Sequence, residues 1–181
     1  MGKNERILSE SRILGVDLLI LVTLGTQKQQ FTRLLDYIEN SKINDEIIVQ
    51  AGHTKYQSKK MKIIDFLSYG EMEELINKAD IIITHGGTGS IITPLQKGKI
   101  VIACSRLSKY GEHVDNHQCE LVNIFSEEGY IIKLDENSKL DDILQTIKDF
   151  KPKRYKSNTD KFVSNLKQEI NDNFFEKLNN Y

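Results

Sequence analysis

A short run of β-branched residues enters a glycine-rich turn near the middle of the chain, and a helix-like stretch follows it. The segment reads A-D-I-I-I-T-H-G-G-T-G-S over residues 79–90, and the helix-like pattern continues over 91–97. Glycine lets the backbone approach a ligand closely, and the free N–H groups of a helix N-terminus point at anionic oxygens. The segment therefore predicts a strand that brings a phosphate-bearing ligand, a diphosphate, to the first turn of a helix.

The residues of this turn are the first candidates for ligand contact. Thr88 and Ser90 place hydroxyl groups beside the backbone amides. The turn lacks the lysine of a Walker loop and the G-x-G-x-x-G order of dinucleotide sites, and a tight strand-to-helix turn without a ligand is the alternative. His85 has no second histidine or carboxylate at metal-ligand spacing, so we expect a structural or ligand-contacting role for it. The candidates are His85, Gly86, Gly87, Thr88, Gly89 and Ser90.

A second glycine turn and a polar segment follow two other predicted strands. T-L-G-T-Q over 23–27 ends the first strand and offers Gly25 and Thr26, with a helix N-cap at Thr26 as the alternative. Y-G-E-H-V-D-N-H-Q over 110–118 follows the fifth strand and suits recognition of a polyhydroxylated group such as a sugar. A solvated start of a helix capped by Asp115 is the alternative there.

Apolar runs alternate with helical patterns along the chain, which predicts an α/β fold with a doubly wound parallel sheet. The strands are apolar throughout, as in sheets that are covered on both faces. In such sheets the ligand crevice lies at the carboxyl ends of the strands, so both glycine turns should open onto one edge. The predicted strands are 18–24, 46–50, 61–66, 81–84, 100–104 and 130–134, and the predicted helices are 31–38, 71–78, 91–97, 117–125 and 140–150.

The chain divides into an N-terminal extension over 1–16, the α/β domain over 17–150, and a C-terminal segment over 151–181. The last begins with a basic linker and continues with apolar residues at every fourth position from Phe162 to Leu178, an amphipathic helix. The longest apolar stretch, 13–24, is about 12 residues long and falls well short of the ~20 that a membrane span requires. We expect it to form a buried strand.

Composition narrows the class of protein further. The net charge is −1, which argues against nucleic acid as the main partner. Cys104 and Cys119 lack metal-ligand spacing and are expected to be reduced thiols of a cytosolic protein. We expect no metal site. A site built from Glu112, His113 and His117 is the weaker alternative.

These motifs together resemble the C-terminal domain of glycosyltransferase family 28. More closely, they are similar to the small catalytic subunits of two-part bacterial capsule and exopolysaccharide glycosyltransferases. A eukaryotic relative of those is the catalytic subunit of the second GlcNAc transferase in dolichol-linked oligosaccharide assembly. The resemblance covers roughly residues 17–150, and it rests on the segments 23–26, 79–90, 98–99 and 110–118.

The resemblance implies the donor half of a GT-B enzyme, which binds a UDP-sugar without a metal. By analogy with the peptidoglycan GlcNAc transferase, Phe66 and Leu67 would present backbone to the uracil. Residues 87–90 would hold the diphosphate. The sugar hydroxyls would contact His117 and Gln118. The acidic residue that holds the ribose in that enzyme corresponds to Thr93 here, so ribose recognition would depend on a nearby hydroxyl or on Glu112.

A GT-B enzyme has two such domains, so the resemblance also implies a membrane-anchored partner subunit that binds the acceptor. The pair would be an inverting transferase that adds a hexosyl unit to a lipid-linked saccharide on the cytoplasmic face of the membrane. UDP-galactose, UDP-glucuronate and UDP-GlcNAc all stay open as donors, and no residue is assigned as the catalytic base. The C-terminal helix would dock on the partner or pack on its own domain. A non-catalytic nucleotide-sugar-binding subunit and a nucleotide-binding regulatory module are the alternatives.

Overall fold

Six parallel strands form one sheet in the computed structural model, which describes residues 18–147 and 149–156 of the chain. The strands are β1 Leu19–Thr23, β2 Glu46–Gln50, β3 Lys62–Ile64, β4 Ile81–His85, β5 Ile100–Cys104 and β6 Ile132–Lys133. The helices are α1 Thr32–Glu39, α2 Tyr69–Lys78, α3 Thr88–Gln96, α4 His117–Glu127 and α5 Leu140–Thr146, with a 3₁₀ turn at Ser108–Tyr110.

The strand order is β3-β2-β1-β4-β5-β6, and every neighbouring pair is parallel. The chain moves outward from β1 to β3 and then returns to place β4 beside β1, in register from Ile20 opposite Ile81 to Thr23 opposite Thr84. The loops that follow β1 and β4 therefore diverge at the point where the strand order reverses, which is where such sheets form their ligand crevice. The predicted doubly wound α/β fold is confirmed.

The side chains of successive residues in the central strands pack into two separate hydrophobic cores, one on each face of the sheet. Ile81 and Ile83 pack in one buried cluster, and Ile82 packs in the other. Side chains of a strand alternate between the two faces, so a strand that is buried on both sides must be apolar at every position. This requirement explains the isoleucine-rich sequence of β4 and β5, which are buried throughout.

Several boundaries differ from those predicted. The third strand, predicted to reach residue 66, ends at Ile64, and the sixth has only two residues. α2 begins at Tyr69 because Ser68 and Glu71 form a capping box, in which each side chain accepts from the other residue's backbone N–H. The N-cap of α1 is Phe31, so the alternative that Thr26 caps this helix is wrong.

The extension over 1–16 and the helix predicted over 162–178 lie outside the described residues. Within 18–156, leaving out residue 148, no helix is both long enough and apolar enough to cross a membrane.

Candidate functional site

The imidazole of His85 lies between the two glycine turns at the carboxyl edge of the sheet. A Cβ built on Gly25 would lie 2.7 Å from His85 Cε1, and one built on Gly87 would overlap His85 Nε2. Gly25 also has a φ of +75°, a conformation that L side chains rarely adopt. Glycine at these two positions therefore lets the turns close on the same ring, and the structure brings them together as the sheet topology predicts.

His85 is 8% exposed and hydrogen-bonded on both sides of its ring. Nδ1 is 3.3 Å from the carbonyl oxygen of Thr23, and Nε2 is 3.4 Å from Ser90 Oγ. Because a carbonyl only accepts, we assign the proton to Nδ1, which leaves Nε2 to accept from the Ser90 hydroxyl. Burial lowers the pKa of His85 to about 4, against the weaker opposing effect of the Thr23 hydrogen bond. The ring is therefore neutral at pH 7.

The first turn of α3 presents backbone amides to solvent. Its N-cap, Gly87, is extended and makes no side-chain capping hydrogen bond. Thr88 and Gly89 are exposed, and a Cβ on Gly89 would meet open space. Helix N-termini leave their first N–H groups without intrahelical partners, and the helix dipole favours an anion there. Diphosphate binding by this turn stays a prediction that the geometry allows.

Gln118, the second residue of α4, links the turn after β4 to the loop after β5. Its side-chain carbonyl accepts from the backbone N–H groups of Gly86 and Arg106, each at 3.2 Å. Its amide nitrogen has no partner among the residues the structure describes, so this donor is available to a ligand. The neighbouring His117 is largely exposed, with Nδ1 3.6 Å from Glu120 Oε2.

Glu112, one of the two sequence-based options for the ribose, is buried and ion-paired within the protein. Its carboxylate accepts from Arg33 Nε at 2.9 Å and from Arg33 Nη2 at 2.7 Å. The backbone N–H of Leu107 donates to the same group at 2.9 Å. Both oxygens are thus engaged, and the structural effect of Glu112 is to hold the loop after β5 against α1.

His113, which lies beside Glu112, pairs with Asp115 across 3.1 Å and approaches Gln27 Nε2 at 3.5 Å. The three side chains that the metal alternative would combine therefore face different partners. In the described part of the chain, no three histidine, cysteine, aspartate or glutamate residues form a group that could hold a metal ion.

Arg106 is completely buried and joins the loop after β1 to the loop after β5. Its Nη1 donates to the carbonyl oxygens of Gln29 and Glu112, and its Nη2 donates to the carbonyl oxygen of Leu24 at 2.8 Å. The guanidinium lies 4.7 Å from the centre of the Phe31 ring. Burial lowers the pKa of Arg106 to about 10, so it remains charged at pH 7. The sequence analysis missed this residue, although an arginine two positions after an apolar strand is a signal of such a role.

A cavity of about 230 Å³, here called the α2–α3 cavity, opens beside the glycine turns. Its apolar part comes from Met72, Ile76, Ile82 and Pro94, and its polar part includes Glu73 and Thr93. The cavity is lined by Thr23, Gly25, Gln50, Tyr69, Met72, Glu73, Ile76, Ile82, Gly89, Ser90, Thr93 and Pro94. The sequence analysis did not predict a role for the α2 residues of this cavity, although their spacing at 69, 72, 73 and 76 places them on one helix face.

Phe66 and Leu67 follow β3, near the start of α2. Phe66 is 52% exposed and meets the ring of His53 edge-on at 5.1 Å between centroids. Tyr69, at the cavity, is 84% exposed. The predicted uracil contact at Phe66 and Leu67 stays a prediction, and these exposed rings show that apolar surface is available there.

Solved structures share this fold. The glycosyltransferase SnogD from Streptomyces nogalater superposes with a TM-score of 0.54 at 15% identity, over 74% of this chain and 35% of that protein. A solution structure of ALG13 gives a TM-score of 0.53 at 21% identity, over 78% of this chain and 90% of that one. The fold is thus the Rossmann-like α/β domain also found in GT-B proteins.

The sequence places the chain within one family of this class. The glycosyltransferase family 28 C-terminal domain matches residues 19–174, and the chain belongs to this family. The UDP-N-acetylglucosamine transferase subunit ALG13 of Saccharomyces cerevisiae is 37% identical over 73 residues, which cover 40% of this chain. The matched segment spans 34% of the length of that relative.

Proposed function

We propose that the chain is the donor-binding subunit of a glycosyltransferase that moves a hexosyl unit from a UDP-sugar to a lipid-linked saccharide. One observation carries the proposal: the two glycine turns close on His85 beside the uncapped N-terminus of α3. This arrangement supports anion binding at the carboxyl edge of the sheet, next to a cavity with apolar walls. The family of the chain supports the reaction class.

The chemistry that this edge supplies is stabilisation of the UDP leaving group. Backbone amides of the first turn of α3 and the hydroxyl of Thr88 donate to the diphosphate as negative charge develops on it. The Ser90 hydroxyl, which donates to His85 in the free chain, turns to donate to the same group. These donors act without a metal, and the backbone amides among them are fixed in place before the reaction begins.

The sugar of the donor lies toward α4 in this proposal. The free amide nitrogen of Gln118 donates to a sugar hydroxyl, because the carbonyl of the same side chain is already held by Gly86 and Arg106. The name of the yeast relative supports UDP-GlcNAc as the donor to test first, with UDP-galactose and UDP-glucuronate as its competitors.

Acceptor binding comes from a second polypeptide in this proposal. The yeast relative is itself described as a subunit, which supports this division of the work. The motif resemblance supports a membrane-anchored partner on the cytoplasmic side and an acceptor in capsule or exopolysaccharide assembly. The partner then also contributes the group that takes the proton from the acceptor hydroxyl, as general-base catalysis requires.

Calorimetric titration tests the donor half of the proposal. The chain is titrated in EDTA with UDP, the three UDP-sugars, ADP and GDP, and we expect saturable binding that favours uridine ligands. Thr88→Val removes a hydroxyl from the first position of α3 and should weaken UDP binding. Thr32→Val makes the same change at the first position of α1, a residue that does not line the α2–α3 cavity, and should leave binding unchanged.

Transfer assays with the acceptor-binding partner separate the alternatives. Transfer of sugar to a lipid-linked acceptor supports the proposal. Binding of UDP-sugar without transfer by the reconstituted pair would favour the non-catalytic subunit, and equal binding of ADP, GDP and UDP would favour a regulatory nucleotide-binding module.

A further inference from the structure

One carboxylate lines the α2–α3 cavity. Glu73 is the single acidic residue among those that line it, and it comes from the same face of α2 as Tyr69, Met72 and Ile76. Across the cavity, α3 contributes Thr93 as well as the glycine and serine of its first turn. A hydrogen-bond acceptor with a negative charge is therefore present in a cavity that is otherwise largely apolar.

The position of this carboxylate is constrained by a lysine that follows α3. Lys97 Nζ lies 3.0 Å from Glu73 Oε1 and 2.8 Å from Asn77 Oδ1. Glu73 Oε2 has no hydrogen-bond partner in the part of the chain that the structure describes. The ion pair thus ties the carboxylate between α2 and α3, and one oxygen stays available to a ligand.

Other acidic residues near this edge do not line the cavity. Glu74, the next residue of α2, pairs with Lys78 one turn along the helix and does not line the cavity. Both oxygens of Glu112 are held by Arg33. Asp65, which follows β3, pairs with Lys55. Among the carboxylates that the structure describes at this edge, Glu73 is therefore the one that lines the cavity with an oxygen left to accept from a molecule there.

We infer that Glu73 accepts hydrogen bonds from the ribose hydroxyls of the nucleotide, with Thr93 on the opposite wall; this inference rests on the proposed function. Gly89 and Ser90 belong both to the cavity wall and to the proposed diphosphate site, so a nucleoside joined to that diphosphate extends into the cavity. The 2′- and 3′-hydroxyls of ribose are donors, and a carboxylate is the acceptor that binds such hydroxyls most strongly. Glu73 thereby makes the site specific for ribonucleotides.

The test compares UDP with 2′,3′-dideoxy-UDP by calorimetry on the full chain. Glu73→Ala should weaken UDP binding about tenfold, the size of one charge-assisted hydrogen bond, and leave dideoxy-UDP binding unchanged. Glu74→Ala makes the same change one residue away and should affect neither ligand. Lys97→Met keeps the carboxylate and removes its ion pair, so it should retain the preference for UDP over the dideoxy ligand. Glu73, Glu74 and Lys97 are all partly exposed, and alanine favours the helix at 73 and 74.

The outcomes separate this inference from the proposed function. Equal losses for UDP and dideoxy-UDP in Glu73→Ala, or no loss for either, would overturn the ribose contact while leaving UDP binding by the wild-type chain intact. Failure of the wild-type chain to bind any uridine ligand would instead contradict the donor-binding function, and the ribose contact with it.

Discussion

The side-chain carbonyl of Gln118 lies 3.2 Å from the backbone nitrogen of Gly86, and so the start of α4 holds the turn that follows β4. The same oxygen accepts from Arg106, which means that one side chain fixes two of the loops that form the candidate site. The two halves of this amide therefore differ: the carbonyl positions backbone, and the nitrogen is the donor that the proposed function assigns to the sugar.

Replacing Gln118 should affect both stability and sugar binding. Gln118→Ala leaves two backbone N–H groups without their acceptor, and we expect the free energy of unfolding to fall by about 2 kcal/mol. It should also weaken UDP-sugar binding more than UDP binding, because the lost amide nitrogen faces the sugar in the proposed arrangement. Urea denaturation and calorimetry check the two effects, and equal loss of affinity for UDP and the UDP-sugar would argue against the sugar contact.

Two glycines at the N-terminal ends of helices should respond to alanine in opposite ways. Gly87→Ala places a methyl group on His85 Nε2, and overpacking of this kind costs about 1–3 kcal/mol. Gly70→Ala in α2 meets no atom within 4 Å and should stabilise the chain by about 0.5–1 kcal/mol. Thermal or urea unfolding of both variants measures the difference. A Gly87→Ala protein as stable as Gly70→Ala would show that the turns do not close on the ring.

Acidification should destabilise the chain through His85. Its pKa is about 4 in the folded protein, against about 6.5 for an unperturbed histidine, so the unfolded chain binds a proton first as the pH falls. The contribution of His85 to the free energy of unfolding is complete above pH 6.5. It is lost progressively between pH 6.5 and about 4, to a total of about 3 kcal/mol. Urea unfolding at a series of pH values should show this slope in the wild type and a reduced slope in His85→Asn. His117→Asn, at an exposed histidine, is the control that should keep the wild-type slope.

Removing Glu112 should destabilise the fold and leave ribose discrimination intact. Glu112→Ala isolates the partly buried Arg33 charge and the Leu107 N–H, and breaking a buried pair in this way costs about 3–5 kcal/mol. Among the variants that remain folded, the preference for UDP over 2′,3′-dideoxy-UDP should be unchanged. A selective loss of that preference in Glu112→Ala would transfer the ribose contact from Glu73 to Glu112.

The sequence was sufficient to predict those elements that are determined by residues close together along the chain. The strand, turn and helix around His85 follow from β-branched residues, glycines and helical spacing that lie within twenty positions of one another. The convergence of Gly25 and Gly87 followed because parallel strands end at a common edge. The end of β3 was less predictable, since the apolar Phe66 continues the pattern of the strand while the backbone has already turned away.

The contacts inside the candidate site could not be predicted from the sequence, because they join residues that are far apart along the chain. Arg33 meets Glu112 across 79 residues, and Arg106 meets Leu24 across 82. No periodic pattern in the sequence indicates that residues at these separations are in contact. For the same reason the sequence offers Glu112 for the ligand and gives no sign of Glu73, because the cavity forms only where residues of α2 and α3 come together in the fold.

The buried guanidinium of Arg106 holds three backbone carbonyls of two loops within this one chain. These two loops are therefore organised before any ligand binds, and little of their conformational entropy remains to be lost on binding. Under the proposed function, this internal contact network would let the donor site take its shape within the chain, without help from the partner subunit.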